Sequence, residues 1–389
     1  TSVINSSLAG VYKNAIERGF DKVYGMLHGV QGLLDEQYVD LSTQIHSELD
    51  IELLKRTPSA FLGSCRFKLP EIHEDRSIYE KIFQILNKLE IEAFIYIGGN
   101  DSMDTIKKLS DYAIITGQSQ KFLGVPKTID NDLALTDHTP GFGSAAKYIG
   151  ASTKEVIRDA QGLTYKKSMI TVLEIMGRNA GWLTGATALA KTEDCDGPDL
   201  IYLPERPFDE EQFIKDVEEK LKEKSGIVVV ASEGLTDKDG KPIVKPVFKT
   251  ERATYFGDVS SHLANLVIQK LGYKARGEKP GLLGRASIGL QSPVDCEEAQ
   301  LAGEKACRAA LNGESGKMVA FRRVSENPYE IEDFLVDIDE VMMYERTMPD
   351  EYINAEGNGV TQAFLDWCRP LIGEELPDMI SFNGFYGKK

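Results

Sequence analysis

Phe94-Ile95-Tyr96-Ile97-Gly98-Gly99-Asn100-Asp101-Ser102 and, further on, Phe122-Leu123-Gly124-Val125-Pro126-Lys127-Thr128-Ile129-Asp130-Asn131-Asp132 decide how this chain is read. Each stretch opens on a short apolar, β-prone run and then turns polar. Between them Met103, Ile106, Leu109 and Ala113 keep helical spacing, with Asp101 or Ser102 as the expected helix cap. Strand, helix, strand, with the polar residues at strand ends, is the pattern of a parallel sheet. Such sheets bind ligands in the crevice beyond the carboxyl ends of their strands.

Outward from this pair the alternation continues. Ser168–Glu174 and Ile227–Ala231 are apolar, β-branched runs of the buried parallel type. Phe213–Lys224 reads as a charged amphipathic helix, and Val259–Leu271 as another with Asp258 as its cap. Asp295-Cys296-Glu297-Glu298 has capping-box spacing and opens a long helix ending near Asn312-Gly313. Asp237–Pro242 is a polar loop or tight hairpin. The expected fold class is α/β, mostly parallel sheets covered by helices on both faces.

The polar ends carry chemistry. Glycines ahead of a helix N-terminus offer free N–H groups and partial positive charge to an anion. Asn100 and Asp101 add oxygen donors of the kind Mg²⁺ takes alongside phosphate oxygens and water. Lys127 brings an ammonium, Thr128 a hydroxyl, and Asp130 and Asp132 two carboxylates, which share one side if the segment is extended. Phosphoryl transfer to an alcohol needs an aligned hydroxyl, a base for its proton, and cations against the developing charge. A solvated turn with a capped helix would use similar residues, but the two motifs together favour the phosphoryl-transfer reading.

At this point the residues resemble a family, the phosphofructokinases, and most closely their pyrophosphate-dependent branch. Phe61-Leu62-Gly63-Ser64-Cys65-Arg66-Phe67 resembles the early phosphate-facing loop. Gly98 to Ser102 resembles the Gly-Gly-Asp motif, and Pro126 to Asp132 the catalytic loop. Thr136-Asp137-His138-Thr139-Pro140-Gly141-Phe142-Gly143 follows in the family's order. Glu174-Ile175-Met176-Gly177-Arg178 resembles the sugar-phosphate loop, and Ala231-Ser232-Glu233-Gly234 the strand end with a substrate glutamate.

The resemblance implies two lobes with the site between them. The expected limits are 1–135 for donor and catalytic loop, 136–325 for the sugar phosphate, and 326–389 packing across both. It implies Asp130 as the base toward the C1 hydroxyl of fructose 6-phosphate, with Thr128 and Asp132 around the transferring phosphoryl group. Met176, Gly177, Arg178 and Glu233 clamp the sugar, and Arg276 and Arg285 take its 6-phosphate, Arg276 from across a subunit boundary. Arg66, Gly99, Asp101 and Lys127 face the donor, and Asn100 and Asp101 the Mg²⁺. The implied assembly is a homodimer or homotetramer.

Asp101 and Lys127 stand where ATP-using members of the family usually carry glycine. An aspartate there crowds and repels a nucleotide's α-phosphate, and a lysine neutralises a compact donor, so pyrophosphate is the expected donor and ATP the alternative. Three departures from the pattern stand out. Asn100 replaces the metal-associated aspartate, and Leu282 a histidine or tyrosine that touches the 6-phosphate. Thr1-Ser2-Val3-Ile4-Asn5 resembles the start of the family's first helix, which places the family's first strand and glycine-rich turn upstream. The first two departures also prompt the reading of a catalytically weak, sugar-phosphate-binding regulatory subunit. Nicotinamide-dinucleotide kinases share a glycine-glycine-acid motif, but the Lys127–Asp132 loop argues against them.

Composition bounds the partners. The 389 residues hold 61 acidic and 45 basic side chains, a formal net charge of −16. That balance argues against nucleic acid or an anionic membrane as partner and requires a locally basic pocket for anionic substrates, for which Arg66, Lys127, Arg178, Arg276 and Arg285 are candidates. Five scattered cysteines show no metal spacing and fit a cytoplasmic protein with free thiols. No apolar run approaches a membrane span, and His138 is expected to be structural.

Overall fold

A computed structural model describes residues 1–164, 167–249 and 254–380. Its two principal sheets fall in two compact units. The first comprises Thr1–Ala145, Arg285–Arg346 and Pro370–Gly373; the second comprises Ala146–Gly284, Thr347–Arg369 and the segment beginning at Glu374.

These limits differ from residues 135 and 325, and strand pairing is the reason. In the first unit the strand order is Tyr329–Asp337, Lys317–Glu326, Lys121–Pro126, Ala93–Gly98. Lys317–Glu326 pairs in parallel with Lys121–Pro126 and antiparallel with Tyr329–Asp337, so the chain beyond Arg285 completes the earlier sheet. Residues past 325 are accordingly shared between the two units.

Side chains alternate across this sheet as the period of two requires. Phe94, Phe122, Met318, Ala320 and Val336 face helices Arg76–Lys88 and Asn100–Thr116, meeting Tyr79, Ile82, Phe83, Met103, Ile106 and Leu109. Leu123, Val125, Val319 and Phe321 face the other way, onto the alanines of helix Pro293–Leu311. Ala93–Gly98 and Lys121–Pro126 run parallel with Gly98 opposite Pro126. The two polar motifs therefore leave neighbouring strands at one level.

The second unit has the strand order Lys274–Glu278, Met169–Ile175, Gly226–Ser232, Leu200–Tyr202, every pair parallel. All of Met169–Ile175 is buried, which is why it reads as a continuous apolar run. Ile170, Val172, Ile227 and Val229 pack with Phe213 and Val217 of helix Glu210–Glu223 and with Leu263 and Val267 of helix Val259–Leu271. Ile175 lies opposite Ser232, so Met176 and Glu233 also emerge side by side.

Three expected caps are placed differently. Helix Asn100–Thr116 starts from Gly99, and neither Asp101 nor Ser102 caps it; Asp101 lies within its first turn, where its charge still favours the helix dipole. Asp258 is at the N-cap of Val259–Leu271, but its side chain makes no cap bond. Glu174 does that work, its Oε2 accepting the Ser260 N–H at 2.9 Å, while Asp258 pairs with Lys279. The long helix begins at Pro293, capped by Ser292 Oγ, which accepts the Asp295 N–H at 3.3 Å. Asp295 is thereby free to reach another helix: its oxygens accept the Gly141 and Ser144 N–H groups at 2.8 and 2.9 Å, at the start of Phe142–Gly162. Among the described residues no helix is long and apolar enough to cross a membrane.

Candidate active site

In the first unit the glycine pair and the loop after Pro126 meet directly. The Lys127 N–H donates to Gly98 O at 3.0 Å. A Cβ on Gly98 would stand 1.9 Å from Ser102 Oγ, whereas one on Gly99 would meet nothing nearer than Lys127 O at 3.6 Å. Gly98 thus permits the tight turn, and Gly99 leaves room in front of the helix N-terminus.

The loop after Pro126 is not extended. Asn131 adopts a left-handed backbone, φ 54°, so simple alternation does not place Asp130 and Asp132. They are nevertheless close enough for the Asp130 charge to disfavour ionisation of Asp132. Thr128 Oγ1 accepts the Asp130 N–H at 3.1 Å, and the Arg346 N–H donates to Asp132 O at 2.8 Å.

The electrostatics follow from burial. Partial burial pushes the Asp132 carboxyl up to about 6, with the Asp130 charge as a further cause. Burial also raises Asp130, against the pull of Lys127, a hydrogen bond from Thr128 and the charge of Arg285. The Lys127 ammonium is lowered, chiefly by burial, with Asp130 and Asp132 opposing and Arg285 assisting. Lys127, one of the expected basic residues, therefore acts on both carboxylates, and Arg285, another, on Asp130.

Glu345 joins the same group and disfavours charge on Asp130. Neither Glu345 nor Arg346 was marked by anything in the sequence, because they follow no motif and arrive from a segment with no regular pattern.

Behind the loop lies a buried ionic network. His138 Nε2 is 2.6 Å from Glu298 Oε2, its Nδ1 2.9 Å from Asp137 Oδ2, and its ring stacks on Phe321 at 5.4 Å. Arg323 pairs with Asp137 at 3.0 Å, and the Tyr329 hydroxyl donates to Glu298 at 2.7 Å. The two carboxylates outweigh burial and raise His138 to about 9, so it is charged at neutral pH. With the folded value above the ordinary 6.5, its contribution to stability is full below pH 6.5 and is lost as pH rises through about 9. His138 is thus hydrogen-bonded through both ring nitrogens inside a buried network, as expected of a structural histidine.

The second unit holds the other group. Gly177 has φ 118°, and its N–H lies 3.4 Å from Glu233 Oε1, while Ser232 Oγ donates to Gly177 O at 2.9 Å. A Cβ on Gly234 would fall 1.7 Å from Arg178 O, so only glycine lets the two strand ends pass this closely. Gly177 is thus tied to the Ser232-Glu233 strand end by side-chain hydrogen bonds, with Arg178 packed against Gly234 and Met176 emerging beside Glu233. Arg178 is exposed, its guanidinium 5.9 Å from the Phe256 ring centroid. Arg276 is exposed on the neighbouring strand Lys274–Glu278, in an ion pair with Glu278 at 2.8 Å. Arg66 is exposed in the loop that follows helix Glu48–Lys55.

Asn100 is half-buried and Asp101 exposed, at the mouth of the glycine turn. Among the described residues no cluster of three or more His, Cys, Asp or Glu side chains can hold a metal by itself. Two oxygen donors at an open helix N-terminus suit Mg²⁺, which keeps several waters and takes phosphate oxygens.

The phosphofructokinase family profile matches residues 1–310. A pyrophosphate–fructose 6-phosphate 1-phosphotransferase of Xanthomonas campestris pv. campestris is 38% identical over 97% of this chain and 90% of its own length. One of the same name from Rhodospirillum rubrum is 39% identical over 97% of this chain and 93% of its own. The crystal structure of a pyrophosphate-dependent phosphofructokinase from Marinobacter aquaeolei aligns with a TM-score of 0.85 at 35% identity, covering 99% of this chain and 91% of that one. With the family profile matched over residues 1–310 and the likeness to these relatives running over nearly the whole chain, this chain belongs to the phosphofructokinase family.

Proposed function

We propose that the protein moves a phosphoryl group from pyrophosphate to the C1 hydroxyl of fructose 6-phosphate, giving fructose 1,6-bisphosphate. The observation that carries this reading is the grouping of Lys127, Asp130 and Asp132 one loop beyond Gly98-Gly99-Asn100-Asp101. Asp130 takes the proton of the C1 hydroxyl as its oxygen attacks the terminal phosphorus, and the bond to the departing phosphate breaks. The raised proton affinity of Asp130 suits a base better than that of a free carboxylate. Lys127 faces the transferring group, with Thr128 and Asp132 beside it. Gly99 leaves the helix N-terminus open to the donor's oxygens, and Arg66 lies on the donor side.

Met176, Gly177, Arg178 and Glu233 hold the sugar, and Arg276 and Arg285 its 6-phosphate, guanidinium forks being matched to phosphate. The family is a class of phosphotransferases that generally use a divalent metal. In this chain Asn100 and Asp101 would hold Mg²⁺, which when bound neutralises charge on the phosphate oxygens. The Asp101 carboxylate and the Lys127 ammonium select the compact donor over a nucleotide. The working protein is a cytoplasmic homodimer or homotetramer, in which Arg276 serves a neighbouring subunit.

The test is formation of fructose 1,6-bisphosphate from fructose 6-phosphate and Mg²⁺ with either pyrophosphate or ATP. Activity with pyrophosphate alone is expected; activity with ATP alone would overturn the donor assignment. The pH profile gives a second check. Because kcat/KM reports the free enzyme, it should fall on the acid side with an apparent pKa near 6, the value to which Asp132 is raised. An ordinary aspartate would place that limb near 3.9. Asp132→Asn should move the limb to lower pH; an unmoved limb would assign it to another group.

A further inference from the structure

The residue between the two carboxylates has no part in the chemistry above, yet its backbone and its side chain are both constrained. Asn131 is fully buried and left-handed at φ 54°. That backbone region admits glycine freely and, of the other residues, chiefly asparagine and aspartate. Asn131 Oδ1 accepts the Thr139 N–H at 3.0 Å. Thr139 Oγ1 donates to Thr128 O at 2.8 Å, the Thr128 N–H donates to Pro140 O at 3.3 Å, and Thr128 Oγ1 accepts the Asp130 N–H at 3.1 Å. These bonds close a ring through Asp130, Asn131, Thr139 and Thr128. The second strand of the ring is itself fixed: the Asp137 N–H donates to Phe321 O at 2.8 Å, and the Phe321 N–H to Thr136 Oγ1 at 2.9 Å.

We propose that Asn131 is a positioning residue for phosphoryl transfer, its Oδ1 grip on Thr139 fixing the turn that aims the Asp130 carboxylate. This rests on the reading of Asp130 as the base. The choice of residue follows from three demands made at one position. Glycine meets the backbone demand but offers no acceptor. Alanine meets neither. Aspartate meets both but adds a third negative charge beside Asp130 and Asp132. Asparagine alone supplies a neutral acceptor on a left-handed backbone.

The experiment compares kcat, KM and equilibrium binding of fructose 6-phosphate, and thermal melting, for the parent enzyme and Asn131→Gly, Thr139→Val and Asp130→Asn. Asn131→Gly keeps the turn and loses the grip, and should lower kcat about 100-fold, the scale of a misplacement near 1 Å. Its affinity for fructose 6-phosphate should be unchanged. Thr139→Val keeps the N–H bonded to Asn131 but cuts the tie to Thr128. It should lose kcat to a smaller degree, again without loss of affinity, and it carries the test if Asn131→Gly does not fold. A normal kcat in the variants that fold overturns the proposal. So does a loss of kcat that comes with an equal loss of affinity and melting temperature, because that marks a merely structural residue. Substantial turnover in Asp130→Asn instead overturns the base assignment. An inactive Asp130→Asn beside a normal Asn131→Gly overturns the positioning role alone.

Discussion

Asp130→Asn is expected to lower turnover by about 10,000-fold, the upper range for loss of a general base, while fructose 6-phosphate still binds. The substitution keeps the shape of the side chain and removes its charge and its ability to take a proton. The backbone around it is untouched, since the Asp130 N–H bonds to Thr128 Oγ1 whatever the side chain carries. Removing the charge also relieves Asp132, whose carboxyl is raised in part by Asp130. Binding measured by calorimetry beside steady-state turnover separates chemistry from affinity. Turnover within about tenfold of the parent enzyme, far short of a base's usual contribution, would remove Asp130 from the role.

The second large effect is at Lys127. Lys127→Gln should reduce kcat with pyrophosphate by about 100- to 1,000-fold, the usual loss for one preorganised electrostatic group. The variant makes a further, independent claim. Lys127 is the first of the influences that hold the Asp130 carboxyl down against burial. Lys127 also holds down the Asp132 carboxyl, so without it both aspartates bind their protons more tightly, and the acid limb of the pH profile should move to higher pH as kcat falls. A fall in kcat with an unmoved limb would mean that Lys127 acts on the donor alone. A limb that moved to lower pH would contradict the charge arrangement altogether.

The parts of this molecule visible in its sequence are those whose causes are local. Phe94–Ile97 and Phe122–Pro126 are apolar because each strand is covered on both faces, and the polar motifs follow directly from where those strands end. The caps were less legible. Asp258 has the right chemistry in the right place, yet the Ser260 N–H is taken by Glu174, 86 residues before Ser260 in the chain. Asp295 likewise caps a helix start lying 154 residues earlier in the chain. Such assignments depend on which carboxylate arrives first at a shared point in space, and local spacing carries no record of that. The same holds for Glu345 and Arg346, and for Glu298, which looks like a capping-box member and is a partner of His138.

The return of the chain to its first sheet has a consequence for synthesis on the ribosome. Lys121–Pro126 becomes an interior strand only when Lys317–Glu326 has been made, and Glu298, Phe321, Arg323 and Tyr329 are all required to surround His138. A nascent chain ending before Arg285 therefore carries the whole Lys127–Asp132 loop in its sequence but lacks the groups that complete its support. During that interval the outer edge of Lys121–Pro126 and the apolar face formed by Leu123 and Val125 have no native partner. Unpaired edges of this kind are where aggregation begins. The order in which this protein is translated thus sets a period of exposure that the finished fold no longer shows.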